Sequence, residues 1–283
     1  MPHLPENLLC CPVCAAPLGL LDGAGALVCG AGHRFDAAKQ GYFNLLTGRG
    51  TEFQSDTAVM VQARTDFLGA GHYGPLQAVV ADLAQRHVAE PRVILDAGAG
   101  TGYYLAELER RHPGAAVLAL DISKFALRRA AGILRDGVCV VWDVWRQLPV
   151  RDSGVDIILN VFAPRNPEEF HRVLNHGGVL VVVTPLPGHL AEIADDAGLL
   201  EVRPDKATAV ATSLTGLFDE ADSATVELSL QLSRTDIYNV ALMGPAGHHL
   251  VPEDLWADLA VLPERTLASA RFTVQVFRRH QDR

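Results

Sequence analysis

Between residues 93 and 184, five short apolar runs alternate with helical stretches, and each run ends on a polar residue. Val93-Ile94-Leu95 leads to Asp96, Val117 to Leu120 leads to Asp121, and Val138 to Trp142 leads to Asp143. Ile157 to Leu159 leads to Asn160, and Val179 to Val183 leads to Thr184. Runs this short, spaced by helices, predict parallel strands buried on both faces of a doubly wound, Rossmann-like α/β sheet. Ligands of such sheets bind beyond the carboxyl ends of the strands, where all five polar residues fall. The alternating segment Thr225 to Leu232 and the apolar Phe272 to Phe277 are expected to complete the sheet with an antiparallel edge.

The first run opens into Asp96-Ala97-Gly98-Ala99-Gly100-Thr101-Gly102-Tyr103. Glycines at alternate positions let the backbone turn sharply and approach a ligand where a Cβ would collide. A dinucleotide fingerprint would need its third glycine at position 103, which is Tyr103, so the spacing is wrong for NAD. It matches the D-x-G-x-G-x-G loop of S-adenosylmethionine-dependent methyltransferases. Asp121, at the second strand end, is placed to accept hydrogen bonds from both ribose hydroxyls. Asp143, at the third, is placed to face the adenine amino group, with Val144 as an apolar wall.

Four of the five cysteines lie in the first 29 residues. In a reducing compartment such clustering points to metal and not to disulfides. Cys11-Pro-Val-Cys14 is one ligand pair and Cys29-Gly-Ala-Gly-His33 the other, which suits four-coordinate zinc with no open position, hence a structural site. Cys10 is an alternative to Cys11 with a less suitable spacing. A segment of about 40 residues buries too little core to fold alone, so metal binding is expected to supply the difference. Arg34, Phe35, Lys39, Tyr42, Phe43 and Arg49 follow the ligands. Interleaved basic and aromatic side chains can grip phosphates and stack on unpaired bases. Equally, the three aromatics can form the small core of the metal module.

The Cys/His knuckle, the segments KQGYFNLL and FLGAGHYGPL, and then LDAGAGTGYY and LDISKFAL together resemble the bacterial RlmA family of 23S rRNA guanine-N1 methyltransferases. The likeness runs from Cys11 to about His189 and thins after Leu200. It implies zinc on Cys11, Cys14, Cys29 and His33, and cofactor contacts from Tyr73, Gly100 and Thr101, with His189 closing over the methionine end. It also implies methylation of one hairpin in domain II of 23S rRNA and a two-fold dimer whose two knuckles extend the RNA cleft. Only three of the 24 basic residues are lysines, which looks like an actinobacterial chain. By that resemblance the chain joins the Gram-positive branch, where methylation contributes resistance to tylosin-like or mycinamicin-like macrolides.

These readings divide the chain into a zinc-binding RNA-recognition module (1–50), a helical connector forming part of the cofactor cleft (51–90) and a class I methyltransferase domain (91–283). The turn Asn160 to Pro164 is the expected seat of the target base, with Phe162 stacking on it and Arg165 holding its phosphate. A tight turn with Phe162 buried is the bland alternative. His72, Asp143 and Asp156 are conceivable general bases, and nothing in the sequence selects among them. No apolar run is long enough to cross a bilayer, and the first residues lack an export signal, so a cytoplasmic setting is expected. The net charge of −9 disfavours partners that need a uniformly positive surface. It leaves room for two rivals: a small-molecule methyltransferase, or a zinc-stabilised binding protein that only senses S-adenosylmethionine.

Overall fold

The computed structural model describes residues 4–21, 25–48 and 50–280. Four short strands, β1 (Leu9–Cys10), β2 (Pro17–Leu21), β3 (Ala26–Cys29) and β4 (Arg34–Asp36), pair antiparallel in sequence order as a zinc-ribbon sheet. The next strand, β5 (Tyr42–Asn44), leaves that sheet. Two helices, α1 (Ala58–Gly69) and α2 (Gly74–His87), then lead to the main α/β unit. Thr57 caps the first through its side chain, and Pro75 lies in the first turn of the second.

All five apolar runs form strands: β6 (Val93–Ala97), β7 (Ala116–Asp121), β8 (Val138–Val141), β9 (Val155–Val161) and β10 (Leu174–Pro185). Between them come α3 (Tyr103–Arg111), α4 (Lys124–Ile133) and α5 (Pro167–Val173). The remainder is α6 (Lys206–Leu214), β11 (Phe218–Ser233), α7 (Arg234–Leu242), α8 (Pro252–Asp258) and β12 (Arg265–Arg279). The eight-stranded sheet runs β11-β12-β10-β9-β6-β7-β8-β5. The stretch from β10 to β5 is parallel, and β12 and β11 form the expected antiparallel edge, each longer than the sequence pattern suggested. Strand order reverses at β6, between β9 and β7, so the crevice of the fold opens at the ends of β6 and β9.

Side chains along the central strands alternate between two cores. Ile94, Val117 and Ile157 face one core with α2 and α3, whereas Leu95, Leu118 and Ile158 face the other. That second core contains Leu8, Leu9 and Leu27 of the ribbon. The metal module therefore does not rest on a small core of its own; it covers one face of the sheet. Phe43 is buried in that shared core, Tyr42 packs against the opposite one, and β5 hydrogen-bonds along β8. The structure thus settles the aromatics of this segment as packing residues. Among the described residues no helix is long and apolar enough to cross a membrane.

Candidate active site and metal centre

The ribbon brings Cys11, Cys14, Cys29 and His33 together, with one ligand atom of each within 4.8 Å of the others. The Cys14 and Cys29 sulfurs lie 3.7 Å apart, and Nδ1 of His33 lies 3.4 Å from Cys29 Sγ and 3.6 Å from Cys11 Sγ. Zinc bonds of about 2.3 Å to sulfur and 2.0–2.1 Å to nitrogen give tetrahedral edges of roughly 3.8 Å and 3.6 Å, so the separations fit that ion. Cys10 points elsewhere on β1, which decides for Cys11. Arg34 and Lys39 are exposed on the ribbon, Arg34 paired with Asp36 at 2.8 Å; Arg49 lies outside the described residues.

At the carboxyl ends of the central strands lies a cleft of about 880 Å³. Gly98 of the glycine loop lines it, and Gly98, Gly100 and Gly102 all have positive φ. Asp121 ties the loop down: its Oδ2 accepts the Gly100 N–H at 2.8 Å and its Oδ1 the Ser123 N–H at 2.8 Å. Beside the loop, the side chain of Asp96 is almost fully buried and its Oδ1 has no partner. Burial, and then the charge of Asp121, push its carboxyl up to about 8. The Tyr104 hydroxyl, in the same recess, and the Thr184 hydroxyl, on the cleft wall, are likewise buried without partners. Orphaned polar atoms around a glycine cradle are what a charged nucleoside ligand such as S-adenosylmethionine would satisfy. Thr101 is buried beside them.

A Cβ on Gly98 would stand 2.3 Å from the Cβ of Ala163, at a φ of +91°. Gly98→Ala is therefore expected to destabilise the fold by roughly 2–4 kcal/mol, from left-handed strain and overpacking together. Thermal denaturation checks this, and an unchanged Tm would mean that the loop relaxes freely.

The opposite wall is aromatic. Tyr73 is buried against Phe67 and Phe272, with ring centroids 5.0 Å away in each case, and His189 lies 6.5 Å from it. Both Tyr73 and His189 border the cleft, 116 residues apart in sequence. Burial lowers the His189 imidazole to about 4, so the ring is neutral near pH 7. Its Nδ1 accepts the Arg271 N–H at 3.1 Å, which leaves the proton on Nε2. Asp143 also faces the cleft, but Thr51 Oγ1 donates to its Oδ2 at 2.7 Å and the Trp145 N–H to its Oδ1 at 3.0 Å.

Phe162 is 42 % exposed at the cleft, with φ +53°, so the bland reading of a buried ring does not hold. Asn160 fixes this turn by donating to the carbonyls of Ala97 and Pro164. Of the conceivable bases, Asp156 sits at the start of β9, accepting the Arg92 and Val93 N–H groups, and His72 pairs with Asp236 at 3.0 Å. Neither lines the cleft. Sequence reading missed Arg64, which borders the glycine recess, donates to Asp56 at 2.6 Å and to the Met243 carbonyl at 2.8 Å. Nothing in its local sequence marks it; its place follows from α1 crossing the cleft to meet α7.

Comparison with known proteins accords with both halves of this geometry. A family model described as RlmA, N-terminal, matches residues 9–48, and one described as a methyltransferase domain matches 94–178. The chain is 44% identical to the 23S rRNA (guanine(748)-N(1))-methyltransferase of Streptomyces fradiae, over 93% of this chain and 95% of that one. It is 45% identical, over 98% of each, to a Micromonospora griseorubida protein provisionally described as a 23S rRNA (guanine-N(1)-)-methyltransferase. Among solved structures, one chain of a complex between the Haloferax volcanii Trm112 methyltransferase activator and a methyltransferase is matched over 81% of this chain and all of that one, at 15% identity and a TM-score of 0.51, which speaks to the fold alone. With the likeness to the curated relatives extending over nearly the whole length of both partners, the chain belongs to the RlmA family of 23S rRNA (guanine-N1)-methyltransferases.

Proposed function

We propose that this protein transfers a methyl group from S-adenosylmethionine to N1 of a guanine in a domain II hairpin of 23S rRNA. The observation that carries the reading is a cleft bordered by the exposed ring of Phe162 and adjoined, through the shared residues Gly98, Arg64 and Tyr73, by a small recess that holds the glycine loop and the unpartnered Oδ1 of Asp96. The cofactor supplies a sulfonium-bound methyl group. Asp121 is placed for the ribose, and Asp143 and Trp142 border the adenine end. Asp96 and Arg64 carry charges complementary to an amino-acid ammonium and carboxylate. Gly98, Gly100, Thr101 and Gly102 give the backbone room to approach, and Tyr73 and His189 close the far side.

In-line transfer to a ring nitrogen depends mainly on holding the two atoms in line and out of water. Phe162 offers a face on which a guanine can stack, and Arg165 a charge for its phosphate. The Nε2–H of His189 is a donor, not a base, and both oxygens of Asp143 already accept hydrogen bonds. The protein's contribution is thus positioning: the new N1–methyl bond forms as the sulfonium–methyl bond breaks to leave the neutral thioether S-adenosylhomocysteine, and the proton carried by guanine N1 passes to solvent. In the Gram-positive branch that the sequence resembles, the same modification contributes to tylosin-like or mycinamicin-like macrolide resistance, and we extend that role to this chain. A two-fold dimer pairing two ribbons belongs to the same reading.

Incubation with labelled cofactor and 23S rRNA, followed by reverse transcription, tests the assignment. A single stop in the domain II hairpin is expected, because a methyl on N1 blocks Watson–Crick pairing; label in small molecules but not in RNA would overturn it.

Asp96 gives a separate check. At pH 7 a carboxyl with a value of about 8 is mostly protonated, and a bound ammonium would draw the proton off. Calorimetry in buffers of different ionisation heat should show release of close to one proton on cofactor binding, absent in Asp96→Asn. Because the folded-state value lies above the ordinary 3.8, the proton stabilises the cofactor-free fold at low pH, and this contribution is lost as pH rises towards 8. No proton release near pH 7 would remove Asp96 from the ammonium.

A further inference from the structure

Three cationic side chains meet in the cleft on the Phe162 side. Arg165 comes from the turn after β9, Arg203 from the stretch beyond His189, and Lys206 from the first residue of α6; all three line the cleft. Arg165 and Lys206 are half-buried and Arg203 is exposed. They feel one another: burial, then Arg165, then Arg203 hold the Lys206 ammonium below its usual range. Burial likewise lowers the Arg165 guanidinium.

Opposite charge is sparse around them. Arg203 approaches Asp205 at 3.9 Å, an exposed pair of little weight, and Glu201 is exposed on the same wall. Arg165 donates to the neutral Asn160 Oδ1 at 3.4 Å. Among the described residues neither Arg165 nor Lys206 pairs with a carboxylate. In a chain of net charge −9, gathering cations in a half-buried wall costs free energy that a bound anion would offset. The recess beside Asp96 and Gly100 is lined by Arg64 and by none of the three, which separates them from the groups proposed for the amino-acid end of the cofactor.

We propose that Arg165, Arg203 and Lys206 form a phosphate clamp that grips the RNA backbone at the target nucleotide while its base lies on Phe162. This rests on the RNA methyltransferase reading and adds to it a substrate contact from the segment after Leu200. Planar guanidinium groups suit bidentate contact with phosphate oxygens, and the shorter-range ammonium adds a point charge.

The test uses the full chain and a transcribed domain II hairpin. Lys206→Gln and Arg203→Gln should each raise the KM for RNA roughly tenfold, with a smaller change in kcat, and lower the slope of log affinity against log salt by about 1. Lys206→Arg should restore most of the KM. Cofactor affinity by calorimetry should stay within about twofold for every variant. The exposed position of Arg203 keeps a second variant informative if Lys206→Gln proves unstable. An RNA KM unchanged in folded variants would overturn the clamp, and a tenfold loss of cofactor affinity would reassign the cations to the cofactor carboxylate. If the unmodified protein neither binds nor methylates the hairpin, the RNA methyltransferase reading itself falls, and the clamp with it.

Discussion

Asp121→Ala is expected to weaken S-adenosylmethionine binding about a hundredfold or more while leaving a folded protein. Hydrogen bonds from ribose hydroxyls to a charged carboxylate contribute about 1.5–3 kcal/mol each, and every 1.4 kcal/mol is a factor of ten in affinity. The carboxylate has a second task, since it also accepts the Gly100 and Ser123 N–H groups that shape the loop. Asp121→Asn, which retains one acceptor oxygen, should therefore fall between the native and alanine proteins. Calorimetry measures the affinity, and a thermal melt separates loss of ligand contacts from collapse of the loop. Native affinity in Asp121→Ala would remove the ribose assignment.

The second large effect is expected from the metal centre. Structural zinc contributes an apparent 10 kcal/mol or more to the folding of small modules. Cys14→Ala, or chelation, should unfold the ribbon and abolish RNA methylation. The packing adds a consequence that an independent module would lack. Leu8, Leu9 and Leu27 share a core with Leu95 and Val140, and β5 is hydrogen-bonded to β8, so the whole protein should melt several degrees lower. Cofactor affinity should change less than tenfold, because no residue of the ribbon lines the cleft or the glycine recess. RNA methylation at the native rate by protein shown to be zinc-free by elemental analysis would refute this.

Features with short-range causes were readable from residue order. The parallel strands appear as apolar runs because residues buried on both faces must all be apolar. The glycines declare themselves because positive φ and close approach exclude a Cβ. The ligand pairs of the ribbon are recognisable because each is brought round by a local turn. Phe43 and Arg64 show where this kind of reading stops. Phe43 stands among bases and aromatics that suit RNA equally well, and only the pairing of β5 with β8 makes it core. Arg64 lies in an ordinary helical segment and meets the glycine recess only because α1 packs against α7.

Residue order by itself determined the five central strands, their glycine loop and the metal ligands Cys14, Cys29 and His33, since each depends on neighbours a few positions apart or on a repeating burial pattern; the choice of Cys11 over Cys10 came from the structure. Tertiary structure alone decided that the ribbon roofs one face of the sheet, that Asp156 and His72 stand away from the cleft, and that Arg165 meets Lys206. Those outcomes depend on strand order and on helices crossing from distant parts of the chain, and no local spacing encodes which distant surfaces will meet.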